Sequence, residues 1–95
     1  IFINHRTMIR NRPAFFSESY FYRLFRKDHG ESFRRYVIRR RMELAFELLK
    51  EDGKTVAEIS EACGYAGVYS FSRTFKKETG ESPAAYKKKA KKRFL

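Results

Sequence analysis

Two arginines that lie fifty residues apart, Arg23 and Arg73, occupy nearly the same sequence context. A guanidinium group keeps its charge and carries its donors in a planar fork, so it can bond guanine O6 and N7 or two phosphate oxygens. Neighbouring residues add hydroxyl groups and further cations. Together these residue types can bind a polyanion, and a structural ion pair is the alternative role for each arginine.

The shared context is an internal repeat with an offset of fifty residues. Eight positions are identical in the two segments. The matching sets are Phe21, Arg23, Phe25, Lys27, Gly30, Glu31, Ser32 and Tyr36, and Phe71, Arg73, Phe75, Lys77, Gly80, Glu81, Ser82 and Tyr86. We interpret residues 17–36 and 67–86 as two copies of one unit. Each copy is expected to hold a helix, a glycine stop and a serine-capped second helix.

Caps and stops predict the elements that position the first arginine. Ser17 is a good N-cap for a helix over 17–29, and Gly30 ends that helix. Ser32 caps a long helix, which we expect to run over 33–50. Its predicted buried stripe consists of Phe33, Tyr36, Val37, Leu44, Ala45, Leu48 and Leu49.

A second set of helices surrounds the second arginine. Thr55 and Glu58, three residues apart, predict a capping box at the start of a helix, and Gly64 predicts a tight turn after it. A further helix is expected over 67–79, and Ser82 followed by proline begins the last one. The predicted inward-facing residues are Val56, Ile59, Cys63, Phe71 and Phe75. Taken alone, this stretch is equally typical of an ordinary helical hairpin.

The charge of the chain is strongly positive and unevenly distributed. The formal net charge is +11, made up of +8 over residues 1–41, −3 over 42–75 and +6 over 76–95. A charge of this size favours a polyanionic partner, although a merely solvated lysine surface is the alternative. The basic end, residues 87–95, is expected to be a disordered, solvated tail with weak attraction to phosphates.

Cysteine and histidine usage excludes several kinds of site. The one cysteine, Cys63, lies on a predicted apolar face and is interpreted as a small buried hydrophobe, so neither a disulfide nor a cysteine-based zinc site is expected. We expect no metal, no cofactor, no membrane span and a cytoplasmic location. Since the chain begins with Ile1 and not methionine, we interpret it as a piece of a longer protein.

These motifs resemble the DNA-binding domain of the AraC family of bacterial transcription regulators. In the linker helix the matching residues are Arg41, Met42, Ala45, Leu48 and Leu49. In the C-terminal signature they are Val56, Glu58, Ile59, Gly64, Tyr65, Phe71, Arg73, Phe75, Lys76, Gly80, Ser82, Pro83 and Tyr86. The resemblance covers about residues 15–88. It implies an all-α domain over 1–95, with helix-turn-helix units at 15–32 and 55–86 joined by the linker helix at 33–50.

The sequence departs from the family pattern at several positions. Ser60 stands where the family usually has alanine, and Gly67 and Val68 stand where it usually has polar residues or proline. Ahead of Ser17, the scaffold helix of the first unit is expected to be missing, displaced or rebuilt. The residues found there are Arg10, Asn11, Arg12, Pro13 and Phe15.

The repeat and the resemblance together give a set of candidate contacts to double-stranded DNA. The candidates for base contacts are Ser19, Tyr22, Arg23, Tyr69, Ser72 and Arg73. The candidates for phosphate contacts are Arg26, Lys27, Ser32, Arg40, Lys76, Lys77 and Ser82. Of the three linker arginines at 39–41, one or two are expected near the DNA backbone and one is expected to pair with an acid such as Glu43 or Glu47.

The arrangement on DNA is also predicted. A linker helix of about 18 residues is roughly 27 Å long, so with its flanking packing it can hold two recognition helices about one DNA turn apart. We expect the helices at 17–29 and 67–79 to occupy successive major grooves, this fragment to be a monomer, and RNA polymerase to be a partner of the full-length regulator.

Two other classes of function compete with a sequence-specific regulator. A non-specific basic nucleic-acid-binding or architectural protein fits the charge but would show no sequence preference. An enzyme is not expected, because two scattered histidines, one cysteine and no clustered carboxylates give no recognisable catalytic set.

Overall fold

The computed structural model describes the backbone of residues 9–93 and the side chains of residues 9–91. Five helices follow Ser17, and no strand occurs within the described range, which confirms the all-α prediction. The helices are α1 (Glu18–His29), α2 (Phe33–Lys50), α3 (Val56–Ala62), α4 (Val68–Thr79) and α5 (Pro83–Arg93). The described chain divides into two compact units, 9–40 and 41–93, so the boundary falls inside α2.

Local capping starts and stops the helices of the first unit as the sequence predicts. The Ser17 hydroxyl oxygen accepts a hydrogen bond from the Tyr20 N–H at 3.1 Å. Gly30 adopts the left-handed conformation (φ 73°), and its N–H donates to the Arg26 carbonyl at 2.9 Å. The hydroxyl oxygen of Ser32 accepts from the N–H of Arg35 at 3.2 Å, which caps α2.

Aromatic rings build the core of the first unit. Phe25 and Phe33 are buried with their ring centroids 5.0 Å apart, edge to face. His29 covers the outer side of Phe25, stacked at 3.9 Å, and its Nδ1 lies 3.2 Å from the Phe25 carbonyl. Ile9 and Val37 complete the buried set, and Phe21 and Tyr36 pack against it.

The segment ahead of Ser17 contains a rebuilt turn. Ile9 and Arg10 are helical, and Ile9 is buried in the core of the first unit, so this unit begins earlier than residue 15. The guanidinium group of Arg12 donates to the Ile9 carbonyl at 2.7 Å and to the Phe16 carbonyl at 3.0 Å. The Ile9 carbonyl also accepts from the Arg12 N–H at 3.3 Å, so Arg12 closes this turn through both its backbone and its side chain. Residues 1–8 and the predictions made for them lie outside the described residues.

The second unit begins with the predicted capping box. Thr55 Oγ1 accepts from the Glu58 N–H at 3.1 Å, and the Glu58 carboxylate accepts from the Thr55 N–H at 3.0 Å. The backbone hydrogen bond to Thr55 lowers the pKa of Glu58. At the other end of α3, Gly64 is left-handed (φ 89°) and the Tyr65 N–H donates to the Ser60 carbonyl at 3.0 Å. Both features confirm the predicted helix and tight turn.

The core of the second unit is closely packed around α4. Phe71 and Phe75 are fully buried, and Phe46 lies against Phe75 and Tyr86 with centroid distances of 5.5 and 5.1 Å. The other buried apolar residues of this unit include Met42, Ala45, Leu49, Ile59, Cys63, Pro83 and Ala90. On α2 the predicted stripe therefore needs correction: Tyr36, Leu44 and Leu48 are only half-buried, and Met42 is buried instead.

Two polar side chains in this core are accounted for locally. The hydroxyl of the buried Ser60 donates to the Ala57 carbonyl at 2.8 Å, so serine in place of alanine leaves no unsatisfied donor. Burial raises the pKa of the Cys63 thiol to about 11, which fits the prediction of a small buried hydrophobe and not a nucleophile.

The prediction of a disordered basic tail is wrong for residues 87–93, because these residues continue α5. Lys87 Nζ donates to the Lys54 carbonyl, and Lys91 lies 3.8 Å from the Asp52 carboxylate. Lys89 pairs with Glu81 at 3.0 Å, and Ala90 is buried. Lys89 and Lys91 thus lie beside acids of their own unit.

The Lys89 ion pair extends the internal repeat. Fifty residues earlier, Arg39 pairs with Glu31 at 2.7 Å. The same acid-to-base spacing of eight residues spans the glycine stop and the first turns of the next helix in both copies. The basic segment after Tyr86 thus corresponds to the first turns of α2, which are also helical.

Phe71→Ala is expected to unfold the second unit or lower its melting temperature strongly, because truncating a fully buried phenylalanine costs about 3–5 kcal/mol. Phe21→Ala is the matched control, since Phe21 is the repeat counterpart of Phe71 but is only half-buried. Thermal unfolding followed by circular dichroism should show the larger loss for Phe71→Ala. Equal melting temperatures for the two variants would contradict this description of the cores.

Candidate nucleic-acid interface

The outward face of α1 carries most of the contacts predicted for the first unit. Ser19, Tyr22, Arg23 and Arg26 recur at helical spacing and are all exposed, whereas Phe25 points into the core. The Arg23 guanidinium carbon lies 5.9 Å from the centroid of the Tyr20 ring. Within residues 9–93 Arg23 forms no ion pair, so it is available to an external anion.

The corresponding face of α4 belongs to the second unit. Tyr69 is 79% exposed, Arg73 and Lys76 are exposed, and Ser72 is half-buried. Arg73, like Arg23, forms no ion pair with any described residue. Because Phe71 and Phe75 are fully buried on the opposite side, the orientation of this face is fixed by the core.

An open groove of the first unit brings the predicted contacts of two helices together. It is lined by Tyr22, Arg23, Arg26, Ser32, Phe33 and Arg34. Three arginines therefore line one groove together with Ser32, the cap of α2, and this set of residue types can bind a phosphate. Arg34 is absent from the predicted phosphate contacts. Its position two residues after the Ser32 cap could have indicated it.

The two serine caps are not equivalent as anion sites. Each serine hydroxyl oxygen accepts from the N–H three residues later, at 3.2 Å in both copies. In the second copy the residue after Ser82 is Pro83, which has no N–H to offer. The first turn of α5 thus has one donor fewer than the first turn of α2, and Ser82 is the weaker candidate.

The remaining predicted phosphate contacts are exposed cations. Lys27 and Lys77 lie in the last turns of α1 and α4, where positive charge also stabilises the negative end of the helix dipole. Arg40 is exposed on α2. Its neighbours have structural roles: Arg39 pairs with Glu31, and Arg41 packs over the Tyr65 ring at 5.0 Å.

Comparison with known proteins matches residues 12–89 to the family described as "Helix-turn-helix domain". The relatives are transcription regulators, and the match covers most of the chain. This chain belongs to the AraC-type helix-turn-helix family. The predicted resemblance is thereby confirmed, and the family is one of DNA-binding transcription regulators.

Curated relatives of this AraC-type chain are longer proteins. It is 37% identical over 73 residues to a probable transcriptional regulator, LumQ, of Photobacterium leiognathi, covering 77% of this chain and 29% of the relative. It is 36% identical over 72 residues to the Msm operon regulatory protein of Streptococcus mutans, covering 76% and 26%. The chain thus spans less than a third of the length of these relatives.

A solved structure supports the fold over nearly the whole AraC-type chain. The DNA-binding domain of AdpA, described as a global transcriptional factor in complex with a target DNA, superposes with a TM-score of 0.81 at 27% identity. The match covers 96% of this chain and 80% of that one.

Two further observations concern the described part of the AraC-type chain. None of its helices is long and apolar enough to cross a membrane. Among the same residues, no cluster of three or more histidine, cysteine or carboxylate side chains has the grouping needed to hold a metal ion.

Proposed function

We propose that this domain binds double-stranded DNA at a preferred sequence through both copies of its repeat. The observation that carries the proposal is the twofold occurrence of one arrangement, an exposed arginine on a helix whose opposite side is locked by a buried phenylalanine. Arg23 above Phe25 and Arg73 above Phe75 are the two instances. The AdpA domain, whose structure is described as a complex with target DNA, supports the choice of ligand.

Residues early in each recognition helix are assigned to bases, and residues late in it are assigned to phosphates. The first two turns carry the side chains that we assign to bases: Ser19, Tyr22, Arg23, Tyr69, Ser72 and Arg73. The last turns and the following caps carry most of those that we assign to phosphates: Arg26, Lys27, Ser32, Lys76, Lys77 and Ser82. Arg40, on α2, is assigned to phosphates as well. Arginine is placed where two parallel bonds to guanine are possible, and the lysines act as point charges.

The two recognition helices are proposed to enter successive major grooves on one side of the duplex. The uninterrupted 18-residue α2, which leads from the first unit into the second, supports this arrangement. The protein groove lined by Arg23, Arg26 and Arg34 supports a phosphate contact next to the DNA major groove that α1 is proposed to enter. The duplex can bend to meet both helices at a free-energy cost of a few kcal/mol.

For the whole protein, we extend the proposal from the family and the length of the relatives. The fragment is a monomeric, non-enzymatic DNA-binding part of a longer bacterial regulator that works in the cytoplasm and acts with RNA polymerase. A separate sensing or dimerising part would belong to the remainder of the regulator.

A non-specific architectural protein is the second candidate, because a net charge of +11 alone would attract any nucleic acid. Selection of bound duplexes from a random pool distinguishes the two. The selected duplex should bind at least tenfold more tightly than an unrelated duplex at moderate salt, and both affinities should fall steeply as salt rises. Equal affinities for the selected and the unrelated duplex would contradict sequence-specific binding and favour the architectural function.

Arg73→Ala should relax the preference at one base pair and cost about 1–3 kcal/mol against the selected duplex. Lys76→Ala should weaken binding to all duplexes alike and reduce the salt dependence. Arg23→Ala is the matched variant in the first unit, and its effect should be smaller because Phe21 packs less completely than Phe71. Competition binding against single-base variants measures all three. Indistinguishable profiles for Arg73→Ala and Lys76→Ala would remove Arg73 from the base contacts.

Insertion of five base pairs between the two selected boxes should abolish binding to both at once, because half a helical turn carries one box to the opposite face of the duplex. Insertion of a whole turn controls for the change in distance alone. Footprinting of the two duplexes shows which boxes are protected. Unchanged affinity after the five-base-pair insertion would mean that one unit alone engages DNA.

A further inference from the structure

The first turn of α4 exposes two large apolar side chains. Val68 is 41% exposed and Tyr69 is 79% exposed. Their repeat counterparts at the start of α1 are polar, Glu18 and Ser19. The two recognition helices thus share their arginine and their core residues but differ at the turn that precedes the arginine.

Local stability does not account for the apolar pair. Valine is a weaker helix former than most exposed residues, and the Gly67 N-cap makes no side-chain hydrogen bond, so this helix start gains little from its own sequence. The Tyr69 ring packs against no other ring among residues 9–91. The Tyr69 side chain is therefore largely open to an outside partner, and Val68 is partly open.

The neighbours of the pair indicate which partner it meets. Val68, Tyr69, Ser72, Arg73 and Lys76 follow one another at helical spacing, so the apolar pair shares its face with two cations. An apolar protein surface would leave these cations without counter-charges, whereas a DNA duplex supplies the phosphates. In the major groove, the apolar group that a duplex presents at its base edges is the C5-methyl group of thymine.

We propose that Val68 and the ring of Tyr69 contact a thymine methyl group in the major groove, within a few base pairs of the one contacted by Arg73. This inference rests on the proposed function, and it specifies a thymine in one of the two boxes of the DNA site. The first turn of α1 makes no such contact, since Glu18 and Ser19 offer no apolar surface there. The proposed thymine contact therefore belongs to the box under α4.

Replacement of thymine by deoxyuridine tests the proposal, because it removes the methyl group and leaves base pairing and groove hydrogen bonds unchanged. Duplexes with the selected sequence are prepared with deoxyuridine at one thymine position at a time. Their affinities are measured for the unmodified domain, for the double variant Val68→Ala with Tyr69→Ala, and for the matched double variant Glu18→Ala with Ser19→Ala. All four side chains are exposed, so melting temperatures close to that of the unmodified domain verify folding.

The unmodified domain should lose about fourfold in affinity at one or two positions in the box assigned to α4 by Arg73→Ala, roughly the contribution of one buried methyl group. The double variant at 68 and 69 should bind the thymine duplex more weakly and show no further loss with deoxyuridine. The double variant at 18 and 19 should keep the full loss.

Three results would overturn the inference. These are no effect of deoxyuridine at any position, an effect confined to the box under α1, and an effect that persists in the variant at 68 and 69. In each case the preference for the selected duplex would survive, so the proposed function would stand. Absence of any sequence preference would remove the proposed function and this inference together.

Discussion

Each unit depends on one phenylalanine that is clamped between its exposed helix and the serine-capped helix behind it. Phe25 meets the rings of Phe33 and Tyr36 at 5.0 and 5.2 Å, and Phe75 meets those of Phe46 and Tyr86 at 5.5 and 5.9 Å. Residues two positions apart on a helix point in nearly opposite directions. Burial of the phenylalanine therefore fixes the outward direction of the arginine two residues before it, and the polar face has its orientation without any hydrogen bond of its own.

The features predicted correctly from the sequence are those decided within one or two helical turns. The Ser17 cap, the left-handed Gly30 and Gly80, and the reciprocal bonds of Thr55 and Glu58 each need only residues a few positions apart. The spacing of residues along a helix predicts the inward and outward faces of α1 and α4, and this too needs only nearby residues. The division of exposed side chains between bases and phosphates stays a prediction, because it depends on a ligand whose position the chain alone does not define.

The features that were missed depend on individual side-chain contacts, some of them distant in sequence. A run such as Lys87, Lys88 and Lys89 suggests a solvated tail when only its own charge is considered. What makes it helical are contacts with Asp52 and the Lys54 carbonyl, which lie more than thirty residues away. Arg12 closes a turn through two carbonyls, a role that no residue pattern announces. The pairing of Arg39 with Glu31 was accessible in principle, since Lys89 and Glu81 repeat its spacing.

The buried thiol of Cys63 has a practical consequence. It is the chain's single cysteine, it is fully enclosed between α3 and its neighbours, and its pKa of about 11 leaves almost no thiolate at neutral pH. A maleimide or nitroxide reagent should therefore leave Cys63 unmodified in the folded protein and react selectively with a cysteine introduced on the surface. Fluorescent or spin labels can be placed on either exposed helix without first removing the natural thiol, and the distance between the two units in solution becomes directly measurable.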